Sequence, residues 1–386
     1  MIIYWLELRK LLASAAVWGF LAACLLFNLF IIGNFRDEYA DDVAAVSKVT
    51  GVALGQSFHD RLSRVTADGG QAAIHLERLR LETDGVTDVF EGYRTESIAE
   101  RYIAAAGARG YFAKAMRDKY AALQKVVEEK AKRDESLSLY FAGSTYTRHR
   151  MLFNTLMGWL LVEGALIAAL AALLSAGYEE IFRTGHIVYS TRTGRRILRP
   201  KLAASLTAGL GAWALLALLS LAVCFGMNEY GEVWRSNVSS LFNYRFDWIA
   251  GMRPFVTWHS FSVLAYLLAV LAAGTGLVAC FSLMAFGLGI WVRNSYIAFL
   301  LFLAANAAMV AVPVLVPQTW MAGLAVRYLS MLTPVWLWLK RSLWFTDGDA
   351  DIIWVHFETV GLCASLAVLA TFCLHAGICF RKRNLA

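Results

Sequence analysis

No lysine, arginine, aspartate or glutamate interrupts residues His259–Val292, which read HSFSVLAYLLAVLAAGTGLVACFSLMAFGLGIWV. An uncharged apolar stretch of about 18 residues or more predicts a transmembrane helix. Inside a bilayer there is no water to bind the backbone, so a spanning segment must satisfy its own hydrogen bonds as a helix. This stretch is too long for one upright helix. We expect it to tilt, to project beyond the bilayer, or to break at Gly274 and Gly276.

Five further stretches of the same kind predict five more spans: Leu11–Gly33, Phe153–Ala176, Leu202–Met227, Ser295–Val316 and Val355–Phe380. Of the 386 residues, 59% are hydrophobic and 17% charged, whereas soluble domains average about 45–50% and about 25%. The sequence therefore predicts an all-α polytopic membrane protein with six transmembrane helices. A shorter apolar stretch, Trp320–Leu339, carries Arg327 and Pro334, and we expect it to be interfacial or re-entrant.

The chain divides into three parts. Residues 1–33 form an amphipathic interfacial helix and the first span, residues 34–152 form a helical domain, and residues 153–386 form a five-helix transmembrane block with a loop at 177–201. In the middle part, apolar residues at three- and four-residue intervals predict one face of a helix: Val43, Val46, Thr50, Leu54, Phe58, Leu62 and Val65. We expect three or four helices there, the first of them continuous with the first span and the last leading into the second.

The distribution of lysine and arginine predicts the orientation of the chain in the membrane. With both termini inside, the short inner segments hold twelve of these residues and the short outer loops hold six, as the positive-inside rule requires. The orientation is then N-in and C-in, and residues 34–152 are extracytoplasmic. The net charge of +7 is explained by a basic inner face against anionic membrane lipid, so it gives no reason to expect a nucleic-acid partner.

Two polar residues lie near the middle of predicted spans, Glu163 in the second and Asn306 in the fifth. A carboxylate at the centre of a bilayer costs about 2.5–3.5 kcal/mol on insertion scales unless it is paired, protonated or in contact with water. Two interpretations follow. Either the two residues line a transport path or gate, or Glu163 is neutral and hydrogen-bonded to a neighbouring helix.

The sequence contains no motif for chemistry. The six cysteines all lie in predicted spans without a Cys-x-x-Cys pair, so neither a disulfide framework nor a metal site is expected. A Gly-x-x-x-x-Gly-Lys-Ser/Thr loop, a His-Glu-x-x-His motif and a Gly-x-Ser-x-Gly motif are all absent. We therefore predict no catalytic residue, no metal and no cofactor on this chain, which is not expected to be an enzyme.

The inner loop Gly177–Lys201 begins with acidic residues, continues with an apolar and aromatic run, and ends with cations around a Thr/Gly turn. A basic loop that anchors the bilayer explains the cations alone. A short helix and turn over Glu179–Arg196 that docks on a cytosolic partner explains the apolar residues as well. The candidate docking residues are Glu179, Glu180, Phe182, Arg183, Tyr189, Thr191 and Arg192.

At this loop the sequence resembles the type-2 ABC transporter permease family. The resemblance rests on the opening Tyr4-Trp5-Leu6-Glu7-Leu8-Arg9-Lys10-Leu11-Leu12, the acidic Tyr178-Glu179-Glu180, the basic Ser190-Thr191-Arg192-Thr193-Gly194-Arg195-Arg196, and the six-span layout. It implies a coupling helix in the loop, seated on a separate cytosolic ATPase that holds ATP and Mg²⁺. It also implies a dimer of permeases, identical or different, in the cytoplasmic membrane of a prokaryote.

The resemblance implies an ATP-driven exporter that works by alternating access. The segment 34–152 is far longer than in minimal members of the family, so the substrate stays open among lipid, polysaccharide, drug-like molecule and peptide. Two other functions stay open as well. One is a subunit that transmits force to the outer domain without conducting a substrate. The other is a membrane receptor or scaffold whose outer helices bind a ligand.

Overall fold

The computed structural model describes residues 2–67, 69–141, 145–190, 194–292 and 294–382. In chain order the α-helices are α1 (Ile2–Leu12), α2 (Ala15–Gly33), α3 (Glu38–Thr50), α4 (Gln56–Arg64), α5 (Gly70–Thr83), α6 (Glu96–Ala106), α7 (Tyr111–Ala131), α8 (Thr145–His149), α9 (Met157–Ile181), α10 (Gly185–Ser190), α11 (Leu198–Met227), α12 (Val263–Val292), α13 (Ser295–Leu315), α14 (Met321–Ser330), α15 (Pro334–Leu339) and α16 (Phe357–Lys382). A two-stranded antiparallel hairpin, β1 (Tyr244–Asp247) and β2 (Gly251–Pro254), is the only sheet among these residues.

Six of the described helices are long and apolar enough to cross a membrane: α2, α9, α11, α12, α13 and α16. The prediction of a mainly helical, multi-pass membrane protein is therefore confirmed. Because six spans bring both ends of the chain to one end of the bundle, we call that end the terminal side and the opposite end the distal side. The Tyr189 ring after α9 contacts the Phe380 ring near the end of α16, with centroids 5.3 Å apart, on this terminal side.

Helix α12 runs unbroken for 30 residues, so the expected weak points at Gly274 and Gly276 do not interrupt it. A Cβ added to Gly274 would lie 2.8 Å from Leu161 Cδ2 and 3.3 Å from Trp213 Cζ2. The glycine therefore allows close packing against α9 and α11. A bilayer favours such small residues at helix contacts because apolar side chains gain little by leaving lipid.

Helix α9 is the centre of the bundle and packs between α11 and α12. Its contact with α11 is close because Gly164 receives the ring of Trp213, and Gly209 faces the backbone of Ala168. The Trp213 indole also donates a hydrogen bond of 3.1 Å to the Leu160 carbonyl. These contacts fill the middle of the bundle with side chains.

On the distal side, three separate stretches pack together: residues 34–149, 228–262 and 316–356. We call them the distal domain. One apolar core joins Tyr102, Met116 and Tyr120 of the first stretch to Trp258 of the second and Tyr328 of the third. The sequence-based division at residue 152 therefore separates stretches that share a core. Residues 316–356 include the short helices α14 and α15, so Trp320–Leu339 does not form a single spanning helix.

The described residues of the first stretch form six helices, more than the three or four expected. The apolar pattern from Val43 to Leu62 belongs to two helices because Gly51, with φ +77°, ends α3. Val43, Leu54, Phe58 and Leu62 nevertheless share one core. Residues 34–37 separate α2 from α3, so these helices are not continuous. Helix α8 does lead into α9, through a π-helical segment at Arg150–Leu156.

Candidate functional site

The loop between α9 and α11 lies on the terminal side and contains the expected short helix, α10, followed by a 3₁₀ segment at Gly194–Ile197. Helix α9 ends at Ile181, and Arg183 just beyond it has φ +53°. A positive φ is uncommon for a residue other than glycine. This backbone turn takes the chain away from the α9 axis and places α10 beside the bundle.

A cluster of buried charges fixes the start of this loop to α1 and α11. Lys201 is ion-paired with the Glu179 carboxylate, and its Nζ donates a hydrogen bond of 2.6 Å to the Ser175 carbonyl. The same Nζ lies 3.9 Å from Glu7 Oε2, and Glu7 pairs with Lys10 at 2.7 Å. Buried charges are tolerated only when they are paired and hydrogen-bonded. The cluster therefore holds α1, the end of α9 and the start of α11 as one unit.

Helix α1 packs along α11 through Leu8 and Leu11, which are buried against α9 and α11. The Tyr4 hydroxyl donates a hydrogen bond of 3.0 Å to Thr207 Oγ1 on α11. Ile2 and Trp5 are exposed on the other side of α1. An apolar face directed away from the bundle fits the expected position of α1 in the membrane interface.

The structure separates the candidate docking residues of the loop into different environments. Glu179 is buried in the charge cluster, so its carboxylate is not presented to a partner. Phe182 is 59% exposed, and Arg183 and Glu180 are exposed as well. Tyr189 is half-buried against the Phe380 ring. Thr191 and Arg192 lie outside the described residues.

Two apolar side chains outside the seven candidate docking residues accompany Phe182 at the surface. Ile181 is 52% exposed and Ile187 is 70% exposed. Both occur in the apolar run of the loop, so the sequence carried the signal, but only the structure separates them from the residues that pack inward. The exposed apolar group of the loop is therefore Ile181, Phe182 and Ile187.

Glu163 lies inside the bundle and is not in contact with Asn306. The Asn28 amide of α2 donates hydrogen bonds of 2.7 Å to Glu163 Oε2 and 3.2 Å to Ser220 Oγ of α11. All three residues are buried. Asn306 is half-buried on α13, where its amide donates a hydrogen bond of 2.8 Å to the Phe302 carbonyl of its own helix. The structure thus pairs Glu163 with Asn28, a residue that the sequence analysis missed.

The distal domain is held by a second cluster of buried charges, centred on Asp347. Arg245 and Arg253 of the hairpin pair with its two carboxylate oxygens at 2.7 and 2.5 Å. The Tyr120 hydroxyl donates to the same carboxylate at 2.8 Å. The Lys119 ammonium donates hydrogen bonds of 2.8 and 2.5 Å to the carbonyls of Asp347 and Ile352. Burial lowers the pKa of Lys119 to about 8.

Other cations of the distal side are paired within the chain as well. Lys340 pairs with Asp349 and Asp351 at 2.5 and 2.9 Å, and Arg327 also pairs with Asp351. Arg341 donates hydrogen bonds to the Asn154 carbonyl in the π-helical segment. Most of the outer-loop cations in the sequence count are therefore bound internally, whereas the terminal side presents exposed Arg9, Arg183, Arg196 and Arg199.

Among the described residues, no group of three or more His, Cys, Asp or Glu side chains is placed to hold a metal ion. No family model, curated protein or solved structure matches this chain. Because no relative is available to indicate a site, the candidate site is defined by two features of this structure alone. They are the apolar group of the terminal-side loop and the buried charges that brace it.

Proposed function

We propose that this protein is the membrane subunit of an ATP-driven exporter, a permease similar in design to type-2 ABC permeases, with its ATPase on a separate cytosolic chain. The observation that carries the proposal is the segment formed by the last residue of α9 and the loop that follows it. It presents Ile181, Phe182 and Ile187 at the surface, and an exposed apolar group of this kind marks a contact with a protein partner or with the membrane. Glu179 lies immediately before them, and its buried ion pair with Lys201 joins the loop to the bundle.

The ion pair between Glu179 and Lys201 suits a loop on which a partner ATPase exerts force. A partner that moves Phe182 acts on α9, and the charge cluster couples α9 to α1 and α11. Because α9 is the centre of the bundle, motion at the terminal side is passed towards the distal domain. In this proposal the termini are cytoplasmic, the distal domain is extracytoplasmic, and the protein lies in the cytoplasmic membrane of a prokaryote. The excess of lysine and arginine in the short segments of the terminal side, twelve against six in the short loops of the distal side, supports this orientation.

Force transmission without conduction is the second candidate function. The packing of the bundle favours it, because 72% of the most apolar window of the Thr147–Ile181 span is buried inside the chain. Glu163 is buried and hydrogen-bonded to Asn28, and it does not face an open path. In the exporter, the path would therefore run along the outside of this bundle, where a second copy or another permease completes it.

The experiment that tests the proposal is purification of the affinity-tagged protein from its native membrane, followed by identification of bound chains and an ATPase assay. We expect a cytosolic ATPase to co-purify, and the Phe182→Ala and Ile187→Ala double variant to retain less than about a tenth of it, since buried anchors dominate interface energies. The control is Trp248→Ala, an exposed aromatic residue on the distal side. Unchanged ATPase recovery in the double variant contradicts the docking proposal.

A further inference from the structure

We propose that a groove at the terminal-side end of the bundle binds an amphipathic cation, a molecule with an apolar body and one permanently charged ammonium group. The groove has a volume of about 940 Å³ and is bounded by α2, α9, the end of α12 and the start of α13. That volume lies within the range of about 300–1,000 Å³ that is usual for small-molecule sites. The role of the bound molecule as the exported substrate rests on the proposed function.

The walls of the groove are apolar and belong to spanning helices. Phe20 comes from α2, Leu166 and Leu170 from α9, and Phe299 from α13. Helices α2 and α13 are among the spans that the protein covers least, with 28% and 17% of their most apolar windows buried. The groove therefore opens towards the lipid. A ligand enters it from the membrane leaflet, and burial of its apolar body supplies most of the binding energy.

Among the described residues, one carboxylate lines this groove, that of Glu180. The carboxylate of the neighbouring Glu179 is buried in an ion pair with Lys201. The Glu180 carboxylate is exposed and forms no ion pair with a cation among the described residues. Asn294 and Ser295 at the start of α13 are the other polar residues of this part of the groove. The two adjacent acids thus have different roles. Glu179 braces the loop, and Glu180 gives the groove its charge.

The position of the carboxylate selects the chemistry of the ligand. A negative charge beside an apolar, lipid-facing wall attracts an ammonium group and repels an anionic headgroup, and the attraction is stronger next to hydrocarbon than in bulk water. The geometry therefore favours an amphiphile with a cationic head over one with a sulfonate or phosphate head. Length and bulk of the apolar body are set by the groove between Glu180 and Leu166.

The test is equilibrium binding to the purified protein in nanodiscs of zwitterionic lipid, without nucleotide and without an ATPase. The probe is a dansyl-labelled dodecyl chain that ends in a trimethylammonium group, and its counterpart is the same chain ending in sulfonate. We expect saturable binding of the ammonium probe only. Glu180→Gln should weaken it about fivefold, as expected for an interaction between partly solvated charges, and Glu180→Lys should weaken it further.

Two variants separate the groove from other sites. Leu170→Trp fills the groove and should abolish saturable binding of the ammonium probe, while Glu91→Gln, a change at an exposed carboxylate of the distal domain, should leave the dissociation constant unchanged. Equal binding of both probes, or no effect of Glu180→Gln, overturns the inference and identifies the groove as a contact for bulk lipid. Because the assay contains no ATPase, its failure is distinguishable from loss of docking at Phe182.

Discussion

The Asn28 side-chain amide donates a hydrogen bond of 2.7 Å to a Glu163 carboxylate oxygen, across the contact between the first and second spans. The two residues are 135 positions apart, and both are buried. A hydrogen bond between polar groups in an apolar environment matters mostly through the cost of leaving one partner alone. This relationship makes Glu163 a residue that joins α2 to α9.

The pairing predicts a specific pattern of stabilities. Glu163→Gln keeps an acceptor for Asn28 and should unfold close to the wild-type temperature. Glu163→Leu and Asn28→Leu should each lower the free energy of unfolding by about 1–3 kcal/mol. The double Leu variant should lose clearly less than the sum of the two, because the carboxylate and the amide are then both absent and neither is buried without the other. Thermal unfolding in detergent measures all four, and additive losses contradict the pairing.

The close approach of α9 and α11 predicts that one glycine tolerates no side chain. A Cβ on Gly209 would lie 2.9 Å from the Ala168 backbone, whereas a Cβ on Gly211 of the same helix meets nothing within 4 Å. Gly209→Leu should therefore lower the free energy of unfolding by about 1–3 kcal/mol or more, and Gly211→Leu should not. The yield of monodisperse protein and its melting temperature compare them. Equal behaviour refutes the packing contact.

Removal of the Lys201 ammonium, which lies at the centre of the terminal-side charge cluster, should strongly lower the free energy of unfolding. Lys201→Met leaves Glu179 buried without its ion-pair partner, and loss of one member of a buried pair costs about 3–5 kcal/mol. Arg199→Met is the matched control on the same turn of α11, because Arg199 is exposed. Its expected effect is within about 0.5 kcal/mol. An equal drop in the melting temperatures of Lys201→Met and Arg199→Met would contradict the proposal that Lys201 holds α1, α9 and α11 together.

The pKa of Lys119 predicts a dependence of stability on pH. In the unfolded chain this lysine titrates near 10.5, and in the fold near 8, so between these values the unfolded state binds more protons. Stability then rises as the pH increases from 8 to 10.5, by an amount on the order of 3 kcal/mol. The wild-type melting temperature should rise over this window relative to that of Lys119→Met. A constant difference between them contradicts the shift.

Orientation can be tested with two single cysteines at exposed positions on opposite sides of the bundle, Glu91→Cys in the distal domain and Ile187→Cys in the terminal-side loop. We expect a membrane-impermeant maleimide to label the first in intact cells and the second only after permeabilisation, because the short segments of the terminal side hold twelve of the eighteen counted lysines and arginines. The unsubstituted protein gives the background from Cys363 and the other native thiols. The reverse labelling pattern contradicts the orientation.

Hydropathy was sufficient to find the six spans, because each is a continuous stretch whose apolar length is a local property of the sequence. Asn28 was missed because a single polar residue in an apolar run carries no signal about its partner 135 residues away. The position of Glu163 in a span did mark it as exceptional. For Glu179 and Glu180, composition placed both in one docking group. Only the position of Lys201 shows that the two carboxylates point to different surroundings.

The assembly of the distal domain could not be predicted for a related reason. Arg245, Arg253 and Asp347 lie in two stretches that resemble short loops between spans, and their pairing leaves no periodic pattern. The positive-inside count treated these arginines as solvent-exposed charges. Their burial against Asp347 explains why cations are present on the distal side without contradicting the orientation that the count predicts.

The three-stretch construction of the distal domain also fixes when that domain is completed during synthesis. The Tyr120 hydroxyl and the Lys119 ammonium find their partners 227 and 228 residues later in the chain, and the Tyr102 hydroxyl meets Arg253 after 151. Residues 34–149 are therefore synthesised first, and these polar groups wait for their partners until the four spans α9, α11, α12 and α13 have been made. Such long sequence separations slow folding and prolong exposure of unfinished cores. A nascent chain that stops before Asp347 therefore has a distal domain that lacks the carboxylate to which Arg245, Arg253 and Tyr120 bind.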